Sequence, residues 1–533
     1  MQTSEHNQAL SSALKGKARL RVLGLTFDDV VRYFFGGNAA VAVVVLALIL
    51  VFLLKEGAGF FGQNRTNIQV YRKAGLEYVD MMRAPLEEFS SLTRTLNDVR
   101  LKRFRALLAE GRDTDGANEA LKEYDDFATA FGAAASEARG VVSDITEVAT
   151  AVKTRAQVSA DREEEREMLL KGGKAEQAAA LKVDVVDYEK EIKLITGVAP
   201  AWKAAVTEMQ EKLRGAVSVA RGADWGKGDK ELAKVLVKTE NFLSVLPKAD
   251  ARMAAWRWDE PVPLSRSVTA FLFGREWLTA SFWQDWYGIL PLVSGSLLVS
   301  LIAMAIAVPF AVSAAIYISE VATPGEKSFI KPYIEFISAI PSVVLGFFGI
   351  AVLGTALRSL SQVEWLNWVP GFPMSERLNA LTAGCLLAFT SIPTIFSLAE
   401  DAITNVPKHF KEASFALGAT RFQTLVRVLI PASLSGIISA ILLGFGRVIG
   451  ETMVVLLCAG NRIAIPDFTQ GIGMLYEPVH TMTGIIAQEM GEVAQGSIHY
   501  RALFMVGIIL FLVSLLINFV AQRVVRRYRI SIG

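Results

Sequence analysis

The chain has 533 residues, 52% of them hydrophobic, and a mean hydropathy of +0.36, above the range of ordinary soluble proteins. Fifty-five basic residues against 53 acidic ones leave a formal charge of +2, which offers no footprint for a nucleic-acid partner. Cys385 and Cys458 both lie in apolar runs, which excludes a disulfide framework, and His6, His409, His480 and His499 are scattered without metal-ligand spacing.

Charge is unevenly placed: it crowds into roughly residues 62–260, while the second half of the chain is apolar. A spanning helix needs about 20 mostly apolar residues. Residues 1–33 read as a cytoplasmic N-terminal segment and 34–56 as a first span, with its apolar run at Phe34–Leu54. A cleaved signal peptide is the alternative, but no small-residue cleavage pattern follows. Five further spans fall within residues 280–533, at about Leu290–Ile318, Ile334–Leu357, Leu378–Leu398, Leu434–Leu457 and Leu503–Phe519. The expected fold is therefore all-α: a polytopic membrane protein with six transmembrane helices and an inserted helical or coiled-coil domain.

Orientation follows from basic residues in short loops. Lys15, Lys17, Arg19 and Arg21 precede the first span, and Lys327 and Lys331 follow the second. Lys408, Lys411, Arg421 and Arg427 follow the fourth, and Arg523, Arg526, Arg527 and Arg529 end the chain. With six spans these clusters share one side, which places both termini in the cytoplasm and residues 57–275 outside. Trp277, Trp283, Trp286 and Tyr287 read as an interfacial aromatic belt ahead of the second span.

The insertion 57–275 carries helical stripes. Trp202, Val206, Met209, Leu213 and Ala216 repeat at 4-3-4-3 spacing after Pro200, and so do Leu181, Val185, Tyr188, Ile192 and Ile195. Phe89, Leu92, Leu96 and Val99 give a shorter stripe. Such stripes bury against partner helices, as a spacer or as a docking surface. The run Gly222 to Gly228 superficially suggests a phosphate-binding loop. It has three residues before Gly226-Lys227 instead of four, and Gly228 stands where a hydroxyl would ligate magnesium. No nucleotide site is expected in this chain; any ATP must be bound by a partner, and no cofactor or metal is expected.

Between the fourth and fifth spans, residues 400–431 read as an amphipathic helix after Pro407, a glycine break at Gly418 and a second helix. A rigid helix projecting from a membrane bundle is a natural lever, although a plain helical connection fits as well. Glu412-Ala413-Ser414, three residues, Gly418, nine residues and Val428-Leu429-Ile430-Pro431 resemble the EAA loop of ABC import permeases. Ser414, Val428 and Ile430 depart mildly from that pattern. The resemblance implies that Glu412, Ala413 and Gly418 belong to a coupling helix docked into an ATPase subunit.

In the fifth span, Gly444-Phe445-Gly446-Arg447-Val448-Ile449-Gly450-Glu451-Thr452-Met453 places two charges inside an apolar run. Each costs on the order of 2.5–3.5 kcal/mol even on insertion scales. Arg447 and Glu451 are four apart, hence stacked on one face of a continuous helix, and Gly446 and Gly450 have the spacing of close helix approach. The pair is either mutually neutralising at a helix interface or a polar lining on a translocation path. Arginine's planar donors suit a tetrahedral oxyanion, and the carboxylate would ease release. Pro309, Pro341, Gly346 and Pro393 kink or loosen other spans, with Ser338, Ser342, Thr390 and Ser391 available to satisfy freed backbone groups.

These residues, with Ile340–Gly349, Ile392-Pro393-Thr394 and Gly496-Ser497-Ile498-His499-Tyr500-Arg501-Ala502-Leu503, resemble the PstC-type permease family of phosphate-specific ABC importers. The resemblance covers the first span and about residues 280–533. It implies the type I importer fold in the bacterial cytoplasmic (inner) membrane and ATP-driven alternating access. A PstA-like second permease, two PstB-like ATPases and a PstS-like phosphate-binding protein are its implied partners. Arg447, Glu451 and Thr452 would line the substrate path. The long insertion departs from the family's short outer loop. Another oxyanion (phosphonate, molybdate or sulfate), a sensor or scaffold built on the insertion, and an ATP-independent channel stand as rival readings. None of them makes the chain itself an enzyme.

Overall fold

Inside a bilayer every backbone polar group must be satisfied within its own segment, so charge-free runs of leucine, valine and isoleucine become helices. The computed structural model describes residues 27–223, 229–279, 281, 283–366 and 368–528. The phosphate-loop look-alike falls largely at 224–228, and the basic clusters at 15–21 and 529 fall at the ends, all outside the described residues. Two compact units result, one from Met1–Phe60 with Gly288–Gly533 and the other from Phe61–Tyr287. Helix α1 (Phe27–Gly57) opens the first unit.

The inserted unit is built on α2 (Phe60–Lys73), α3 (Leu76–Ala109), α4 (Lys122–Ala133), α5 (Ser136–Lys171), α6 (Tyr188–Thr196), α7 (Ala199–Gly222), α8 (Lys230–Val245) and α9 (Leu264–Phe273). Phe89, Leu92, Leu96 and Val99 of α3 and Trp202, Val206, Met209 and Leu213 of α7 all enter one core. Phe89 stacks on Phe131 at 5.3 Å and meets Phe242 at 6.0 Å. Burying aromatic rings of this size is the main stabilising term in a water-exposed helical unit. The stripe from Leu181 fails as a helix: residues 181–187 are irregular and Val185 is 90% exposed. Val183, Val185 and Val186 are β-branched, and Asp187 caps the helix that begins at Tyr188 by accepting from the Lys190 amide.

The ends of this unit are tied together by polar contacts. Asn64 donates to Ser267 Oγ at 3.1 Å, Arg65 to the Val262 carbonyl at 2.6 Å, and Asn67 to the Asp285 carbonyl at 3.1 Å. Buried Glu77 accepts from Arg72 at 2.7 Å, from the Trp256 indole at 3.1 Å, and from Arg266. The expected aromatic belt belongs here instead. Trp277 and Tyr287 pack edge-on at 5.5 Å across a two-stranded antiparallel hairpin, and both are buried. Trp283 and Trp286 lie against the core, with the Trp283 indole donating to Asp80 at 3.0 Å. An indole ring with a half-buried carboxylate partner gains more from this core than from an exposed position.

Among the described residues of the membrane unit, six helices are long and apolar enough to cross a membrane. After α1 come α10 (Leu290–Ile316), prolonged by a π-helical turn at Tyr317–Val321, and α11 (Pro324–Ile337). Then follow α12 (Ser342–Phe348), the first part of a span running to Ser361, and α13 (Ala380–Thr404). The remainder is α14 (Lys408–Ala416), α15 (Ile430–Gly450), α16 (Met453–Cys458), α17 (Met482–Glu489) and α18 (Ile498–Tyr528). The third span therefore starts at Ser342, not Ile334. Pro341 disfavours helix at the residue before it, so α11 stops and the chain turns through 338–340 before restarting. Helix α11 is a separate element, opened by a Thr323–Glu326 capping box.

Packing in this unit rests on small residues. Ala303, Ala307, Ala311 and Ala315 lie on the buried face of α10, and Gly384 of α13 lies directly against Ile302. In lipid, apolar bulk gains little by leaving the solvent, and close backbone approach supplies the attraction.

Candidate functional site

Two places carry the chemistry singled out in the sequence, and both lie within the membrane unit. The first is a break in the fifth span. The sequence places Arg447 and Glu451 mid-helix on one face, but α15 ends at Gly450 and Glu451 adopts an extended conformation (φ −71°, ψ 132°). Thr452 then leads into the short helix α16. Arg447 sits in the last turn of α15, where the carbonyl ends of the helix favour a cation. Among the described residues no ion pair joins Arg447 to Glu451. The expected glycine contact is not made within this chain's described residues: nothing lies within 4 Å of a Cβ built at Gly446 or Gly450. Gly444 makes a close approach instead, since a Cβ built there would lie 2.5 Å from the Ile395 side chain.

The Arg447 guanidinium donates Nη1–H to Thr394 Oγ1 at 2.8 Å and is otherwise exposed on this chain. Thr394 is brought there by α13, one residue beyond Pro393; Thr390 and Ser391, a turn earlier, both donate to the Leu387 carbonyl. Glu451 is held through its backbone, whose carbonyl accepts from Thr483 Oγ1 at 2.9 Å, while its carboxylate accepts from the Thr452 amide at 3.2 Å. Four elements thus converge: α13 gives Thr394, α15 gives Arg447, the break gives Glu451 and Thr452, and α17 gives Thr483. The guanidinium, exposed on this chain and bonded among the described residues to Thr394, is a group able to hold an oxyanion by charge-assisted hydrogen bonds. Thr483 was not legible in sequence because its role comes from a backbone contact across 32 residues. Thr394 stood in the Ile392-Pro393-Thr394 motif, but nothing in that spacing pairs it with Arg447.

The second place is the loop 400–431. Helix α14 runs Lys408–Ala416, and Gly418 takes a left-handed φ of +80°, which a side chain would resist. A Thr420–Gln423 capping box starts the next turn at Arg421, which passes through a π-helical stretch at Leu425–Leu429 into α15. Ser414 and Thr424, both buried, share a hydroxyl–hydroxyl hydrogen bond of 2.9 Å that closes this hairpin. Glu412 and Ala413 lie on its exposed side, beside exposed Phe415, Leu417 and Phe422. An outward apolar row on a short polar helix is suited to docking. The mild departure Ser414 therefore has a structural task, since only a hydroxyl or similar group can bond Thr424.

Six helices long and apolar enough to cross a membrane, among the described residues, mark an integral membrane protein. The model of the family described as binding-protein-dependent transport system inner membrane component matches residues 307–530. The probable ABC transporter permease protein YqgH of Bacillus subtilis is 34% identical over 258 residues, 46% of this chain and 78% of the relative. The phosphate transport system permease protein PstC of Mesorhizobium japonicum is 31% identical over 266 residues, 48% of this chain and 79% of the relative. PstC of Pasteurella multocida is 29% identical, covering 48% and 80%. An inward-facing chain of the MetNI methionine ABC transporter aligns at 18% identity over 45% of this chain and 94% of its own, with a TM-score of 0.32.

The chain belongs to the binding-protein-dependent transport system inner membrane component family, as a PstC-type permease subunit of an ABC transporter. It is a multi-pass inner-membrane protein that performs no covalent chemistry of its own. ATP hydrolysis resides in a separate subunit, and the family works with a binding protein.

Proposed function

We propose that this chain carries inorganic phosphate, as one half of a permease that alternates between outward and inward access. The observation that carries this reading is Arg447 at the break between α15 and α16, held by Thr394 and otherwise without a partner among the described residues. Glu451 and Thr452 beside it complete the substrate path. The relatives named as phosphate permeases supply the substrate class. A second, PstA-like permease would cover the exposed face of Arg447. Two PstB-like ATPases would receive the hairpin at Glu412, Ala413 and Gly418, and a PstS-like protein would deliver phosphate. In the orientation set by the basic loops, both termini are cytoplasmic and the inserted unit is extracytoplasmic.

The test is ATP-dependent uptake of labelled phosphate by the co-expressed complex in vesicles, with sulfate, molybdate and phosphonate as competitors. Uptake that only excess phosphate suppresses supports the reading; suppression by another oxyanion at lower concentration reassigns the substrate. Repeating the assay without residues 61–287 shows whether the inserted unit is needed for delivery.

A further inference from the structure

Helices α14 and α11 bury few residues of their own. Ser414 is the one buried residue of α14, and α11 has none, contributing only the half-buried Ile330 and Ile334 to the core. Helices so poorly packed cannot be positioned by apolar contact alone, yet each is moored by a lysine to a carboxylate at the end of a spanning helix. Lys411 of α14 donates to Glu320, in the π-helical turn that ends α10, at 2.5 Å. Lys331 of α11 donates to Glu400, near the end of α13, at 2.6 Å. The two glutamates expose only 15% and 14% of their side chains, so each is a fixed anchor, whereas the lysines are the more exposed partners. A third tie, Lys327 to the Ser319 carbonyl at 3.1 Å, joins α11 to the same turn that carries Glu320.

We propose that Lys411–Glu320 and Lys331–Glu400 are the joints that transmit movement of the coupling hairpin to the spans α10 and α13. The inference rests on α14 being the ATPase-coupling helix. Exposed ion pairs contribute little to folding, because water screens them and side-chain ordering offsets the attraction. Their value here is geometric. A lysine held against a recessed carboxylate fixes the distance between two helices, so a push on α14 becomes a displacement of α10 instead of a local tilt. The residues are positioning residues and touch no substrate.

Phosphate uptake and ATP hydrolysis are measured together in vesicles containing the full complex with Glu320→Lys, Lys411→Glu, and the exchanged pair carrying both. Each single change is expected to lower phosphate moved per ATP by about fivefold, and the exchanged pair to return it to within about twofold of the original, with all complexes co-purifying. Glu320→Gln and Lys411→Gln serve as milder versions if a reversed charge blocks assembly. Single variants that keep the original ratio overturn the joint, and so does an exchanged pair that assembles yet transports no better than the singles. The unaltered complex separates the two ideas: its failure to take up phosphate refutes the substrate, whereas its normal uptake alongside unaffected variants refutes the joint.

Discussion

The two units differ in how many aromatic rings they bury. In the membrane unit the inward face of α10 combines Leu292, Val299 and Ile302 with Ala303, Ala307, Ala311 and Ala315, while Leu297, Leu301 and Phe310 point outward. In the inserted unit Trp202, Tyr124, Phe89, Phe131 and Phe242 point inward, and lysine, glutamate and arginine cover the outside. Water pays back large apolar surface removed from it, so the inserted helices hide their rings. Lipid offers no such return, so the spans hide small residues that let backbones approach. Arg447 and Glu77 make a narrower contrast. The inserted unit pairs its buried charges within itself, as Glu77 does with Arg72 and Arg266, whereas Arg447 of the membrane unit is left facing outward with one hydroxyl partner.

The largest effect that would sharpen this contrast is on transport. Arg447→Ala should lower uptake on the order of a hundredfold while the complex still co-purifies, since it removes a cation held for a ligand and not for the fold. Uptake close to that of the unaltered complex would remove Arg447 from the path.

In the inserted unit the corresponding loss is of stability. Trp202→Ala should destabilise that unit by about 3–5 kcal/mol. Hydrogen exchange followed by mass spectrometry on the full chain should show lost protection in α7 and α3 with α10 and α13 unchanged. Loss of protection in α10 and α13 as well would show that the two units do not fold independently.

Glu77→Gln should cost about 1–3 kcal/mol by leaving Arg72 and Arg266 short of an acceptor. It also tests a pH dependence. Burial pushes the Glu77 carboxyl up, but hydrogen bonds from Arg72, Arg266 and Trp256 outweigh it and hold the group below its ordinary 4.5. Its contribution is therefore present above pH 4.5 and is lost as pH falls through the lowered folded value. Asp80 has the opposite sign: burial, partly offset by hydrogen bonds from Tyr71 and Trp283, raises it above 3.8. Its contribution is present below pH 3.8 and is lost as pH rises through the raised value. Hydrogen exchange at stepped acid pH should show a weaker acid-side loss in Glu77→Gln and the reverse change in Asp80→Asn. Identical profiles in all three proteins would break the assignment.

The smallest expected effect is at Gly418. An alanine there must hold a left-handed conformation at a cost of about 1–2 kcal/mol, which should lower transport per ATP severalfold without affecting the inserted unit. An unchanged ratio would show that the hairpin tolerates a different turn.

Composition and periodicity alone determined the number of spans, the helical nature of the insertion and the stripes of α3 and α7. Each of these depends on near-neighbour spacing and on transfer between water, protein and lipid, which local sequence records. Gly418 as the break in the loop 400–431 was legible for the same reason, because a left-handed turn selects glycine. The third span, the stripe at 181–185 and the aromatic run at 277–287 were misread from sequence. Proline, β-branching and a long-range carboxylate partner there outweighed hydropathy. The pairing of Arg447 with Thr394, the separation of Arg447 from Glu451 and the mooring of Lys411 to Glu320 were decided by tertiary structure. A four-residue spacing stacks two charges only while the helix continues, and where it stops, and which distant hydroxyl or carboxylate then lies within reach, is set by how the spans pack.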